Sequence, residues 1–249
     1  MREIPVHSVG GVDRSPTADG RRFQLASGRA VGGAKLVSVN VGMPRTVEHD
    51  GRTVTTAIWK RPVTGRVEVR GVNLDGDGQA DRSVHGGVDK AVCAYAQEDY
   101  EWWGVELGTE ALEAGTFGEN LTVVGIDLNA TEVGERWRVG TALLEVSEPR
   151  FPCFRLGIRM GDARFLKRFA AARRPGTYLR IREEGDLGAG DLIEVVDRPG
   201  HGVTIGLFAE AFLGDRGLLD ELLTADALSE TWRTWIDERP ARSVLAQRR

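Results

Sequence analysis

Period-two alternation, broken repeatedly by glycine, runs from Ala34 to Val196 and limits this chain to a fold built from short strands. Val37, Val39 and Val41 alternate with Leu36, Ser38 and Asn40. Val47 to Ile58 reads as a hairpin turning at His49-Asp50-Gly51, because Asp-Gly tolerates the positive φ of a tight turn. Further strands are predicted at Val67 to Val69, Val88 to Ala96, Leu121 to Asp127, Arg136 to Val139, Thr141 to Ser147, Thr177 to Ile181 and Leu192 to Val196. Two helices interrupt them: Gln97 to Leu107, stopped by Gly108, and Asp162 to Arg173, with Phe165, Leu166 and Phe169 on its apolar face. Many short strands, 32 glycines and few helices predict a mainly β fold, a closed or nearly closed β-barrel rather than a parallel α/β sheet.

The two ends differ from this middle. Residues 1–33 carry scattered glycines and arginines without a hydrophobic period and are expected to be a flexible N-terminal extension; residues 34–200 are the barrel. After Pro199 the period turns helical. Phe208 pairs with Phe212 and Leu218 with Leu222, and Leu228, Trp232 and Trp235 follow, with Thr224 as the expected N-cap. Residues 201–249 are therefore expected to form a small C-terminal helical domain. It is too small to fold alone, so it should pack on the barrel or on another subunit, which allows a homodimer.

A formal net charge of −4 argues against a nucleic-acid partner, and no apolar run is long enough for a membrane one. Two cysteines, Cys93 and Cys153, are too few for a disulfide framework and point to a reducing compartment, the cytoplasm.

Cys153 carries the sharpest chemical signal. It stands in Glu148-Pro149-Arg150-Phe151-Pro152-Cys153-Phe154-Arg155. The two prolines should end the preceding strand and hold the thiol on a rigid loop. Arg150 and Arg155 are nearby cations of the kind that favour a thiolate, the form that attacks electrophiles and binds metals. A lone cysteine is more often structural, but this flanking favours function.

Two other segments are dense in polar groups. In His85-Gly86-Gly87-Val88-Asp89-Lys90, the paired glycines let backbone N–H groups approach an anion, His85 could move a proton, and Lys90 adds positive charge. In Gly115-Thr116-Phe117-Gly118-Glu119-Asn120, Gly118 permits an unusual backbone angle and the Asn120 amide suits a heterocyclic edge. Taken singly, each is better read as an ordinary turn. Asp75, Asp77, Gln79 and Asp81 alternate like a calcium loop, but Ala80 and Gly86 stand where that loop needs glycine and glutamate. No phosphate-binding loop, dinucleotide fingerprint, serine elbow or zinc spacing is present.

Together these segments resemble the MOSC domain, named for the C-terminal domain of molybdenum cofactor sulfurases, and within it the stand-alone YiiM-like bacterial branch. The likeness runs from about Lys35 to the C-terminus. It rests on Ser38-Val39-Asn40-Val41-Gly42, Thr56-Ala57-Ile58-Trp59-Lys60, Gly76-Asp77-Gly78-Gln79-Ala80-Asp81, His85 to Val92, Gly115 to Thr122 and Pro149 to Cys153, in that order. Cys93 falls where relatives tend to carry an aromatic residue, which assigns it to core packing.

The resemblance implies a MOSC-type β-barrel with a few peripheral helices. It implies that Cys153 ligates molybdenum of the pterin cofactor (molybdopterin) and that the cofactor lies in a mouth of basic side chains and backbone donors. Arg45, Lys60, Gly86, Gly87, Lys90, Gly118, Asn120, Arg150 and Arg155 are the candidate cofactor-binding residues. The implied reaction is the two-electron reduction of N-hydroxylated compounds, such as hydroxylaminopurine-like bases, with Cys153 tuning the metal and His85 or Asp81 supplying a proton. No flavin, haem or iron–sulfur motif is present, so an external reductase must deliver the electrons. The alternative is a carrier that holds the cofactor, or sulfur on Cys153, without turnover. Pyridoxal phosphate enters only at family level, through the separate domain of the sulfurases, and nothing of that size precedes the barrel here.

Overall fold

The computed structural model describes residues 33–80, 86–109 and 111–239. The first half of the sheet structure comprises β1 (Lys35–Val41), β2 (Arg45–His49), β3 (Arg52–Thr56), β4 (Arg61–Val63), β5 (Arg66–Arg70), β6 (Asn73–Leu74) and β7 (Val92–Ala96). Helix α1 (Gln97–Leu107) follows, then β8 (Leu121–Val124), β9 (Arg136–Val139) and β10 (Ala142–Pro149). Helices α2 (Phe154–Met160) and α3 (Phe165–Ala172) precede β11 (Thr177–Glu183), β12 (Gly185–Gly188) and β13 (Ile193–Asp197). Helices α4 (Ile205–Leu213) and α5 (Glu230–Asp237) end the described chain, separated by a 3₁₀ segment at Arg216–Thr224.

Eight strands form the main sheet in the order β13-β9-β10-β11-β7-β8-β1-β4. Every pair is antiparallel except β7 with β8, the two strands that α1 connects. A three-stranded sheet, β12-β5-β6, and the β2-β3 hairpin complete the β structure. The main sheet does not close into a barrel through a continuous ladder. Val39 to Val41 of β1 already pair with β4, so only the start of β1 reaches the other edge. There Lys35 bridges Leu192, and the Leu36 N–H donates to the Asp191 carbonyl at 2.8 Å.

Local sequence explains most elements. The β2-β3 hairpin turns with Asp50 at φ 49° and Gly51 at φ 70°, the positive pair such a turn requires. Helix α1 stops at Gly108, whose φ of 65° is left-handed. Three expectations need correction. Val88–Lys90 is a 3₁₀ turn, so the strand begins only at Val92. The stretch before Asp162, where no helix was expected, forms α2, which Gly161 at φ 66° ends; the helix expected from Asp162 to Arg173 is α3. Ser229, not Thr224, caps α5, its hydroxyl accepting from the Trp232 N–H at 3.4 Å; the Thr224 hydroxyl instead donates to the Glu221 carbonyl at 2.7 Å.

Two apolar cores result. The larger one joins the sheet to the C-terminal helices, with Trp137 and Val146 in the same cluster as Leu219, Leu222, Trp232 and Ile236. The smaller is mostly aromatic and is shared by α1, α2 and α3; it contains Tyr95, Trp103, Phe117, Phe165 and Phe169. Trp103 stacks on Phe169 with centroids 5.8 Å apart, a geometry that adds to simple burial. Among the described residues no helix is long and apolar enough to cross a membrane.

Candidate functional site

An open cleft of about 680 Å³, a figure that includes solvent at its mouth, draws its walls from both cores. Ile58 belongs to the aromatic core, and Ala91 to the larger one. β10 runs through Pro149, and the next four residues carry the chain to α2. Cys153 is the N-cap of that helix, in extended conformation, and its carbonyl accepts the Leu156 N–H at 2.9 Å. Its side chain makes no capping bond, and the residue is half-buried in the cleft wall.

Arg150 lies beside it and is 6% exposed. One guanidinium nitrogen, Nη2, donates to the Phe117 carbonyl at 2.7 Å, and the group lies 5.3 Å from the Phe169 ring centroid. Nη1 is buried without a hydrogen-bond partner. An unsatisfied donor on a buried cation is costly, so this nitrogen calls for a ligand atom or a water. Gly118 makes the Phe117 contact possible: its φ is +82°, and a Cβ there would meet Ile58 Cγ1 at 2.7 Å.

The opposite wall is an ion-pair network. Lys60 Nζ bonds to Asp77 Oδ1, which also accepts the Gly42 N–H at 2.8 Å. Asp77 Oδ2 accepts from Asn120 Nδ2 at 3.0 Å. Asn120 uses the rest of its amide on the backbone, donating to the Asn40 carbonyl at 3.3 Å and accepting the Cys93 N–H at 3.1 Å. Lys60 and Asn120 line the cleft, yet both have partners within the protein. Replacing Asp77 by Asn should cost about 1.5–3 kcal/mol in urea unfolding, since Lys60 keeps an acceptor but loses the opposite charge. The Lys60→Met/Asp77→Asn double variant should lose less than the sum of the two single losses; a purely additive result would show the two residues to be uncoupled.

Lys90 extends toward buried Glu148, Nζ to Oε1 3.3 Å, and Trp232 Nε1 donates to Glu148 Oε2 at 3.0 Å. Burial holds the Glu148 carboxyl above the usual carboxylate range, with Lys90 opposing that rise. Arg155 also lines the cleft, its guanidinium 4.9 Å from the Phe154 ring centroid. Arg45 is outside the lining and stacks on Trp59 at 3.5 Å. Gly86 and Gly87 are also outside it, and the Gly87 N–H donates to Gln79 Oε1 at 3.2 Å. Asp81 and His85 lie outside the described residues.

Three cleft residues escaped the sequence reading as site residues. Asp77 drew notice as part of a calcium pattern and of a family motif, not as a site residue. Cys93 is buried core and cleft wall at once, and burial pushes its thiol up to about 12, against the pull of Arg150. It is therefore protonated at neutral pH, which leaves Cys153 as the accessible sulfur. Tyr178 pairs across strands with Cys93 on one side and Glu148 on the other, a register that spacing along the chain does not reveal. Among the described residues no group of three or more His, Cys, Asp or Glu is placed to hold a metal ion. A metal in this cleft would have to arrive with most of its ligands.

A family model described as the MOSC domain matches residues 81–194, a span that contains Arg150, Cys153 and Tyr178. The chain is 36% identical over 201 residues to Uncharacterized protein YflK of Bacillus subtilis (strain 168), covering 80% of this chain and 90% of that one. It is 32% identical over 200 residues to a protein named Reductase from Gibberella moniliformis (strain M3125 / FGSC 7600), covering 79% of this chain but 33% of that protein. Among solved structures, YiiM from Geobacillus stearothermophilus matches with a TM-score of 0.69 at 30% identity, covering 84% of this chain and 100% of that chain.

Proposed function

This chain belongs to the MOSC domain family, and from that premise we propose that it binds the molybdenum cofactor in the Cys153 cleft and reduces N-hydroxylated compounds with electrons from a partner reductase. The observation that carries the reading is the pairing, in one open cleft, of an accessible thiol with a buried arginine nitrogen that has no partner. A soft sulfur ligand and an unsatisfied cationic donor suit a chelated metal with anionic groups. The likeness to a fungal protein named Reductase supports redox chemistry.

The cofactor, when bound, supplies the two-electron chemistry that takes R–NH–OH, two electrons and two protons to R–NH₂ and water. Cys153 is the protein's ligand to the metal. Arg150 holds negative charge through Nη1, while Nη2 stays on Phe117 and fixes the guanidinium plane. Arg155 and Lys90 add positive charge to the walls. Lys60, neutralised by Asp77, shapes the wall and leaves anion binding to the arginines. Asp81 or His85 supplies the proton in this scheme. Two free cysteines fit a cytoplasmic location.

The test is full-length protein made in a host that synthesises the cofactor. Stoichiometric molybdenum by elemental analysis, with reduction of 6-hydroxylaminopurine by chemically reduced methyl viologen, is the expected result. Bound molybdenum without turnover would make the chain a carrier, and metal-free protein would end the reading.

A further inference from the structure

A strongly basic stretch of the sequence borders the cleft. Between Arg150 and Arg174 the sequence holds eight Arg or Lys residues and one acid, Asp162, in a chain whose formal net charge is −4. Four of the eight are engaged inside the molecule. Arg150 and Arg155 line the cleft, Arg173 pairs with Glu210 at 2.9 Å, and Arg174 pairs with Asp99 at 2.5 Å. The other four lie on α2 and α3 and the turn between them.

Arg164, Lys167 and Arg168 are exposed, the Arg164 side chain by 91%. Asp162 touches Arg164 at 3.5 Å, and Arg168 donates to the Glu106 carbonyl at 3.1 Å rather than to a carboxylate. Arg159 is half-buried, and its Nε has no hydrogen-bond partner. Arg155 and Arg159, four residues apart on α2, share a helix face that leads away from the cleft. Because Cys153 caps α2 and the helix has seven residues, its far end is about 10 Å from the thiol-bearing residue. The Arg168 contact also brings the end of α1 alongside, where Val105 is 83% exposed.

We propose that α2 and α3 form a docking face for the acidic surface of a small electron-carrier protein. The inference rests on the redox reading above, which requires electrons from outside and so a contact surface close to Cys153. A compact basic patch with an exposed valine at its border matches the charged rim and apolar contact of a transient protein interface. A nucleic acid fits less well, since an extended polyanion would meet the negative remainder of the chain.

An acidic bacterial flavodoxin is the probe, titrated calorimetrically into the full-length protein. Binding should be detectable at low salt, weaken steeply as salt rises, and fall at least about tenfold in the R164E/K167E/R168E variant. Arg52→Glu, on the β2-β3 hairpin, should bind as wild type does. Molybdenum content and viologen-driven activity of the triple variant should be unchanged. Absence of flavodoxin binding to wild type, equal binding by the triple variant, or tighter binding of a DNA duplex would each overturn the docking face. Flavodoxin binding by a wild-type protein that carries no molybdenum would uphold the face and sink the cofactor reading instead.

Discussion

Replacing Cys153 with serine should strip molybdenum from the purified protein, at least about tenfold, while changing unfolding free energy by less than about 1 kcal/mol. The two halves of this result come from different features of one residue. Cys153 is half-buried, and its thiol makes no capping bond, so the fold does not depend on the sulfur. Serine is a favoured N-cap and can accept an N–H of the first turn, so α2 should be no weaker. A serine hydroxyl is harder than sulfur and stays protonated at neutral pH, so it is a poor substitute in binding a metal. Elemental analysis per folded chain, beside a urea melt, separates the two effects. Cys93→Ser is the counterpart: it sits buried beside Asn120, so it should lose stability but keep its metal. Equal molybdenum in wild type and the Cys153 variant would remove the ligand role and with it the proposed chemistry.

What could be read in advance was mostly local. The bounds of α1 follow from its pattern and Gly108, and the β2-β3 turn follows from Asp50-Gly51. The chemical types in the cleft were also legible, since Cys153, Arg150, Arg155 and Lys90 stand out by kind and flanking residues. Their partnerships were not. Lys60 reads as an available cation until the fold brings Asp77 and Asn120 against it. Asn120 reads as a free amide until β1, β7 and Asp77 claim its atoms. Helix α2 was hidden because Phe154–Met160 is short, contains a glycine and follows a proline. Strand β12 begins and ends in glycine, which reads as a turn, and only its pairing with β5 makes it a strand. Closure of the sheet depends on which edges remain free, and β4 takes an edge that no count of strands could assign.

The largest stability effect should come from Glu119, which the motif around Asn120 contains but does not explain. It is buried, and its Oε1 accepts three donors: the Tyr100 hydroxyl at 2.5 Å, the Gly115 N–H at 2.7 Å and the Thr122 hydroxyl at 2.9 Å. Tyr100 in turn accepts the Thr116 N–H at 3.0 Å, so this one carboxyl anchors the turn that presents the Phe117 carbonyl to Arg150. Glu119→Ala leaves three buried donors unpaired, at about 1–3 kcal/mol each, and should cost about 3–6 kcal/mol. Glu119→Gln tests the charge. Burial raises the Glu119 carboxyl above its usual range near 4.5, more than its hydrogen bonds lower it, and the buried Oε2 has no partner to stabilise an anion. The folded state therefore holds this proton more tightly than the unfolded chain. Its contribution to stability is complete below about pH 4.5 and is lost as pH rises through the elevated folded value. Glutamine mimics the neutral acid, so the Gln variant should gain on wild type steadily as pH climbs from that point. Asp99 and Glu148 are raised as well, so the pH profile of wild type alone is not diagnostic; the difference between the two proteins is. Urea unfolding of both between about pH 4 and pH 8 measures it, and a flat difference would mean that Glu119 is ionised in the fold.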